Sequence, residues 1–419
     1  MKAIIMAGGK GTRIKEINSE VPKPMIPVLD KPILQYQIEC LARQGVKDIT
    51  LIIGYLGFVI KEYFGDGTKY GVNISYIEEK EPLGTAGALY LLKGKVQEDF
   101  LLLCGDLIFD INVNRFYSAH KKMGGLVTLF THPNSHPYDS GIIIADENCK
   151  VLNWLHKEDE RLWYRNRVNA GLHFVSPKIF ERFTELKKRD LDRDVLKPLI
   201  GENNLFVYDS PEYVKDMGTP DRYYSVTEDI KNGKVSAKNL NNRQKAVFLD
   251  RDGTINKYVG FLKSAKDFSL LDGVADAVKK INESGYLAIV VTNQPVIARG
   301  DTTLEELAEI HAKMETLLGE KGAYLDAIYY CPHHPDKGFE GERPEYKIEC
   351  ECRKPKAGLV FKAAKDFNIN LSESWVIGDS VSDVQCGKNA GCKTAFLGDD
   401  ETADVCGKNL LECIDKILN

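Results

Sequence analysis

Lys2-Ala3-Ile4-Ile5-Met6-Ala7-Gly8-Gly9-Lys10-Gly11-Thr12-Arg13 runs from a short apolar strand straight into a glycine-rich polar loop. Far along the chain, Ala246-Val247-Phe248-Leu249-Asp250-Arg251-Asp252-Gly253-Thr254 repeats the arrangement with carboxylates in the loop. Strands that end in polar loops and alternate with helices build open α/β sheets, whose ligands sit beyond the carboxyl ends of the strands. The alternation continues around both starts. Residues 33–43, 274–283 and 304–318 have helical spacing, while 49–53, 100–103, 287–291 and 375–377 read as buried strands. The fold class is α/β, with two domains that each hold a mainly parallel sheet and flanking helices.

At 419 residues the chain exceeds one core at roughly 150 residues per domain. A polar, aperiodic stretch from Lys231 to Gln244 supplies the break. It predicts a first domain over 1–234, a linker over 235–244 and a second domain over 245–419. Charge is nearly balanced, with 56 Lys and Arg against 61 Asp and Glu, so no basic surplus points to nucleic acid or an anionic membrane. No apolar run approaches the roughly 20 residues a bilayer demands, and Gly8-Gly9 cuts short the apolar start. A cytoplasmic protein with small-molecule partners is the expectation. The sequence carries no signal for an oligomeric state.

Gly8, Gly9 and Gly11 let backbone N–H groups approach phosphate oxygens, and the forked cation of Arg13 suits the same anions. Val21-Pro22-Lys23-Pro24-Met25-Ile26-Pro27 follows, a loop stiffened by prolines around one lysine. Together these loops resemble the signature of the sugar-1-phosphate nucleotidyltransferase family. The resemblance covers about residues 1–230. Glu81-Pro82-Leu83-Gly84-Thr85-Ala86-Gly87-Ala88 is similar to the family's base-recognition segment. Cys104-Gly105-Asp106 and Asp216-Met217-Gly218-Thr219-Pro220 resemble its metal-binding aspartate segments. Tyr138-Asp139-Ser140-Gly141 and Asn169-Ala170-Gly171 resemble its sugar contacts.

The resemblance implies a Rossmann-like domain in which Gly8, Gly9, Gly11, Thr12, Gly84 and Thr85 hold a nucleoside triphosphate. Lys23 and Arg13 would offset phosphate charge in catalysis, and Asp106 with Asp216 would share Mg²⁺. Gly141, Asn169 and Lys157 are the implied sugar-phosphate contacts. Where the family often has Glu-Lys-Pro, this chain has His156-Lys157-Glu158, so a solvated surface lysine is an equal reading of Lys157.

In the second half, Asp250 and Asp252 close an apolar strand, placing two carboxylates two residues apart at the strand end where ligands of open α/β sheets commonly bind. Thr292-Asn293-Gln294, Arg353-Lys354-Pro355 and Gly378-Asp379-Ser380-Val381-Ser382-Asp383 follow in order. With them, residues 245–419 resemble the haloacid dehalogenase superfamily of phosphatases. That resemblance implies attack on phosphorus by Asp250 and proton transfer by Asp252. It also implies Mg²⁺ held by Asp250, Asp379 and the Asp252 carbonyl, with substrate contacts from Thr292, Asn293 and Lys354. Asp383 reads equally as a metal ligand or as a helix cap.

Cysteines crowd the same half. Cys331-Pro332-His333-His334-Pro335 and Cys350-Glu351-Cys352 offer three thiolates and an imidazole, a closed tetrahedral set for structural Zn²⁺. The reading is Cys331, His333, Cys350 and Cys352, with His334 the competing imidazole. A zinc loop running into Arg353-Lys354 resembles the branch of heptose bisphosphate and histidinol phosphatases, with Arg353 facing a distal substrate group. That branch normally continues Ser-Gly after Thr-Asn-Gln, whereas this chain has Pro295-Val296, which predicts a stiffer loop.

The two chemistries constrain each other. Nucleotidyl transfer needs a sugar 1-phosphate, so a cooperating phosphatase must remove a distal phosphate and spare the anomeric one. The first half most resembles heptose 1-phosphate guanylyltransferases, which implies GTP. The combination then runs from D-glycero-D-manno-heptose 1,7-bisphosphate to GDP-D-glycero-α-D-manno-heptose. One alternative joins a mannose-1-phosphate guanylyltransferase to a histidinol-phosphatase-like domain. In another, one domain binds sugar or nucleotide only to regulate the other. Complete acid pairs in both halves, Asp106/Asp216 and Asp250/Asp252, favour two enzymes.

Overall fold

The computed structural model describes residues 1–9, 17, 20–338 and 340–419. They form two compact units. Met1–His132, Ile143–Trp154 and Asn169–Asn239 make the first, and Pro133–Ile142, Leu155–Val168 and Leu240–Asn419 the second.

In the first unit, strand Lys2–Ala7 lies between Asp48–Ile53 and Phe100–Cys104, parallel to both, with Asn73–Glu78 beyond Asp48–Ile53. Residues 172–175 run antiparallel to Phe100–Cys104, so the sheet is mixed. Strand alternation builds the layers. Ala3, Ile5 and Ala7 face one core cluster with Leu34 and Ile38 of helix Ile33–Arg43, and Ile4 faces another with Ile52 and Leu102. Strands after Lys2–Ala7 fill one side before Phe100–Cys104 takes the other. The carboxyl end of Lys2–Ala7 is therefore a topological switch point, and Gly8 leaves the sheet there. A second, antiparallel pair sets Asp216 opposite Leu107, next in the chain to Asp106.

The second unit repeats the principle with a wholly parallel six-stranded sheet. Its order is Ala327–Cys331, Leu287–Asn293, Ala246–Leu249, Trp375–Gly378, Lys393–Leu397, Val405–Gly407. Val247 and Leu249 face one core cluster, Ala246 and Phe248 the other. The order reverses between Ala246–Leu249 and Trp375–Gly378, and Asp250 and Asp379 emerge side by side at that switch point. Helix Leu304–Gly319 starts at a capping box between Thr303 and Glu306.

Residues 235–244, read as a linker from composition, carry more structure than a tether. Lys234–Ala237 forms one helical turn, Asn239 donates to Asp110 Oδ1 at 2.7 Å, and Gln244 bridges to Ile369. Asn239 and Gln244 are buried with hydrogen-bond partners, so at these two positions polarity marks satisfied burial, while Asn241, Asn242 and Arg243 are exposed. Within the span expected for the first domain, Pro133–Ile142 and Leu155–Val168 group with the second unit. No composition shift marks either segment. Among the described residues, no helix is long and apolar enough to cross a membrane.

Candidate functional site

Each unit places a cluster of acids and cations at its switch point. In the first unit, a Cβ on Gly8 would collide with the Glu79 carboxylate, and one on Gly54 would lie 3.0 Å from Gly8 O. Gly8 therefore lets two backbone segments and a carboxylate meet at one point. Glu79 Oε1 is buried with no hydrogen-bond partner among the described residues, and burial pushes its carboxyl above the usual range. Gly9 is exposed, and a Cβ there would meet nothing within 4 Å among the described residues. Gly11, Thr12 and Arg13 lie outside the described residues.

Pro22 and Pro24 frame a single 3₁₀ turn, Lys23–Met25, that aims Lys23 inward. Its ammonium bonds the Asp106 carboxylate. Gly105 lets the strand end press against Met6 O, to which its N–H donates at 2.9 Å. Met217 N–H donates to Asp106 O at 2.9 Å, which ties the two acid-bearing turns together. Asp216 accepts from Arg222 at 2.6 Å and from Gly218 N–H at 2.8 Å. Burial raises its carboxyl, but Arg222, Gly218 and Lys23 outweigh that and hold it below the usual range. Burial first, then Asp106, Asp192 and Asp216, push the Cys104 thiol up against the pull of Lys23, so these charges share one neighbourhood.

Asn169 Oδ1 accepts from Gly171 N–H at 3.1 Å, and a Cβ on Gly171 would lie 3.6 Å from Cys104 Sγ. Gly84, at φ +78, pairs with Arg189, and Thr85 Oγ1 accepts from Leu191 N–H at 2.7 Å. These contacts lock the expected base-recognition segment onto residues 189–191. Gly141 and Lys157 fall in the segments of the second unit, and Lys157 is exposed. Glu79 and Asp192 were missed by sequence reasoning. Burial raises Asp192 to about 6, with Asp190 adding to the effect, and no motif flagged either residue.

In the second unit, the carboxylates of Asp250, Asp379 and Asp383 each place an oxygen within 4.8 Å of the others. A Cβ on Gly253, at φ +86, would collide with Asp379, so glycine there is a condition of that convergence. Burial pushes Asp250 up to about 6, while the charge of Lys354 pulls it down. Lys354 is buried and donates to Val291 O at 2.9 Å. Asn293 brackets the Lys354 backbone, accepting from its N–H at 3.0 Å and donating to its carbonyl at 3.2 Å. The Asn293 amide therefore holds Lys354 in place. Asp383 caps helix Val381–Ala390 through Ser380, one of its two expected roles, and its carboxylate also meets Lys354 at 2.6 Å.

Asp252 is held by neighbours the sequence reading passed over. Its carboxylate accepts from Arg251 at 2.8 Å, Asn256 at 3.0 Å and Gln294 at 2.8 Å. Gln294 also donates to Thr292 Oγ1 at 3.0 Å, joining two expected site residues. The Cys/His set converges as well. Cys331, Cys350 and Cys352 have sulfurs 3.1–3.5 Å apart, and His333 Nδ1 lies 3.3 Å from Cys352 Sγ. His334 turns away, with its Nδ1 accepting from Asp336 N–H at 3.2 Å. Arg353 donates to His333 O at 3.3 Å, which fixes it beside the cluster.

Comparison with known proteins also divides the chain in two, with Pro133–Ile142 and Leu155–Val168 falling inside the match to the first half. The phosphatase-like half is similar to D-glycero-beta-D-manno-heptose-1,7-bisphosphate 7-phosphatase of Haemophilus ducreyi, 44% identical over 155 residues, covering 37% of this chain and 82% of that protein. A probable mannose-1-phosphate guanylyltransferase of Oryza sativa subsp. japonica is 32% identical over 229 residues, covering 53% of this chain and 63% of the relative. The solved HddC of Yersinia pseudotuberculosis, complexed with GMP-PN, aligns at 24% identity and a TM-score of 0.48, over 55% of this chain and 99% of its own. A HAD-hydrolase-like model matches residues 351–408 and a nucleotidyl transferase model residues 2–233. The second match spans more than half of the chain, which therefore belongs to the nucleotidyl transferase family and carries a HAD-like hydrolase region in the same polypeptide.

Proposed function

We propose that the chain is a bifunctional enzyme of nucleotide-activated heptose synthesis. Its second unit removes the 7-phosphate of D-glycero-D-manno-heptose 1,7-bisphosphate. Its first unit then transfers GMP from GTP to the α-anomer of heptose 1-phosphate, releasing pyrophosphate and GDP-heptose. The observation that carries the reading is the presence, in one polypeptide, of two separate acid–cation centres, one on each sheet's switch point. The similarity to heptose bisphosphate phosphatases supplies the substrate of the second.

In the phosphatase, Asp250 Oδ attacks the 7-phosphorus, and the bond from phosphorus to the C7 oxygen breaks. Asp252 gives its proton to that oxygen and later takes one from the water that cleaves the aspartyl phosphate. Arg251, Asn256 and Gln294 hold the Asp252 carboxylate in position for both transfers. Lys354 offers its ammonium to the phosphoryl oxygens, and Arg353 faces a distal substrate group. In the transferase, Lys23 balances charge on the α-phosphate as the sugar phosphate oxygen attacks. The Glu79 carboxylate, an acceptor at the nucleotide loop, suits the N1–H and amino donors of guanine.

The converging carboxylates of the second unit fit Mg²⁺, which Asp250, Asp379 and the Asp252 carbonyl would hold, and Asp106 and Asp216, on turns tied by Met217 N–H, would share one in the first. When bound it supplies positive charge that screens carboxylate from phosphate and steadies the leaving pyrophosphate. Three sulfurs and one imidazole nitrogen within bonding range of a common centre fit a structural Zn²⁺. That donor set would hold the 331–352 excursion and hence Arg353.

A second reading, mannose 1-phosphate as the acceptor sugar, is favoured by the guanylyltransferase relative. One experiment separates the readings. Four nucleoside triphosphates are tested against heptose 1-phosphate, both anomers, and mannose 1-phosphate, scored by pyrophosphate release. Phosphate release from the bisphosphate is followed alongside, also with both anomers, since the phosphatase relatives act by name on the β form. The reading requires that Asp250→Asn abolish phosphate release and spare nucleotidyl transfer, and that Asp106→Asn do the reverse. Activity retained in either variant's own reaction sinks that site assignment.

A further inference from the structure

We infer that the segment Leu155–Val168, which lies inside the nucleotidyl transferase match, is a positioning element for the phosphatase acid–base residue Asp252. It acts through the pair Arg165–Glu315, the helix Leu304–Gly319 that carries Glu315 and His311, and the pair His311–Arg251. This rests on the phosphatase reading given above.

The segment belongs to the second compact unit, and its attachment there is polar and specific. Glu315, on helix Leu304–Gly319, has a fully buried carboxylate that meets Arg165 Nε, and Arg167 Nη1 lies 3.2 Å from its other oxygen. Arg167 also donates to Asp326 O at 3.2 Å. Next along the helix, Thr316 Oγ1 accepts from Tyr164 N–H at 2.9 Å. A Cβ on Gly319 would press to 2.6 Å from Pro137 Cγ, so the other excursion, Pro133–Ile142, seats on the same helix through a residue with no side chain. A buried carboxylate with no cation beside it is costly, so Glu315 makes helix and segment depend on each other.

One turn earlier on that helix, His311 is buried with Nε2 3.3 Å from Arg251 Nη1. Arg251 is itself fully buried, with Nη2 donating to Asp252 and to Gln294 Oε1 at 2.8 Å each and Nε to Asp252 at 3.3 Å. An arginine with five donors and no acceptor needs acceptors on every side when dry, and His311 supplies one of them. Losing it frees the guanidinium to rotate and takes Asp252 with it. The link thus runs by side-chain contact from Arg165 to Glu315, along one turn of helix Leu304–Gly319 to His311, and by side-chain contact again through Arg251 to the carboxylate that handles the proton, and all of it lies within the second unit. Asp250, Lys354 and the Cys/His cluster stand outside it.

The test uses the full chain with the inner and outer ends changed separately. His311→Leu removes the acceptor and His311→Gln restores one. Arg165→Met removes the outer cation at a partly exposed position, and Arg165→Lys restores the charge. Phosphate release is followed as kcat and KM, first with the heptose bisphosphate and then with p-nitrophenyl phosphate. His311→Leu and Arg165→Met should each lower kcat about tenfold or more with KM little changed, because a misplaced proton donor slows chemistry and not binding. His311→Gln and Arg165→Lys should recover most of the loss. The double variant His311→Leu/Arg165→Met should be no worse than the poorer single, as expected for one chain of contacts. Wild-type kcat in either →Met or →Leu variant overturns the inference, and so do additive losses or failure of both rescues. Wild-type protein that hydrolyses neither substrate indicts the phosphatase reading instead.

Discussion

Lys354 sets its ammonium 2.7 Å from Asp250 Oδ1, and both side chains are almost wholly buried. The same nitrogen meets Asp383 at 2.6 Å, so one cation holds two carboxylates that would otherwise repel. Incoming phosphate adds more negative charge at this point, and Lys354 is the fixed counter-charge within the described residues of the cluster. Lys354→Met should therefore lower kcat/KM for phosphate release by about 10²–10³, the usual effect of deleting one preorganised donor to a transferring group. Pyrophosphate release by the first unit should be unchanged, and running both assays on one preparation checks the comparison. A drop below tenfold would mean that Lys354 serves only to balance Asp383.

Glu79 gives the first unit a comparable handle on its base. The carboxylate is half-buried beside Gly8, and its Oε1 is buried with no hydrogen-bond partner among the described residues. Glu79→Gln keeps the shape but exchanges one acceptor for a donor and removes the charge. Charge-assisted hydrogen bonds carry about 1.5–3 kcal/mol, so kcat/KM with GTP should fall by roughly 10- to 100-fold. The ratio of GTP to ATP use should narrow with it. An equal fall with both nucleotides would assign Glu79 a structural role.

Much of this site was legible because phosphate chemistry selects short motifs at strand ends. Asp250 lies close to both Asp379 and Lys354, residues that the motif order had grouped with it, and the sulfurs of Cys331, Cys350 and Cys352 converge as their spacing implied. Convergence brought about by other elements left no such trace. Gln294 was visible only as the end of a Thr-Asn-Gln run, yet it bonds Asp252, Arg251 and Thr292 at once. Glu315 lies in a stretch whose helical spacing alone was legible, and its burial depends on two arginines about 150 positions earlier. The segments Pro133–Ile142 and Leu155–Val168 resembled sugar-contacting parts of the first half, and their grouping with the second unit could not be read from local pattern.

The sulfur cluster predicts a metal content. Protein purified without chelator should hold about one zinc per chain, measured by elemental analysis. His333→Asn and Cys352→Ser should lose it, while His334→Asn should keep it, because His334 is turned toward Asp336. Loss of the metal should lower the calorimetric transition of the second unit by on the order of 10 °C, since a site of this kind converts binding energy into folding energy. Zinc retained at the wild-type ratio in Cys352→Ser would show that these donors do not form the site.

His173 predicts how the first unit responds to acid. It lies in the strand opposite Leu102, 1% exposed, with Nδ1 lacking a partner among the described residues. Burial alone depresses its imidazole to about 3, so the folded chain keeps it neutral where the unfolded chain takes up a proton. The sign follows from proton counting. Below the unfolded value of about 6.5 the unfolded state binds more protons, so stability falls as pH falls. Its contribution is fully present above that value and declines through the window between about 6.5 and 3. At pH 5 the loss amounts to about 2 kcal/mol. His120, also buried and lowered by desolvation, adds a loss of the same sign. His173→Gln cannot charge, so the difference in urea unfolding free energy between pH 7.5 and pH 5 should shrink by about 2 kcal/mol in that variant, whatever its absolute stability. Hydrogen exchange of the 172–175 amides read at the same two pH values assigns the effect to this sheet, and an unchanged pH difference would mean that the imidazole finds a proton acceptor inside the fold.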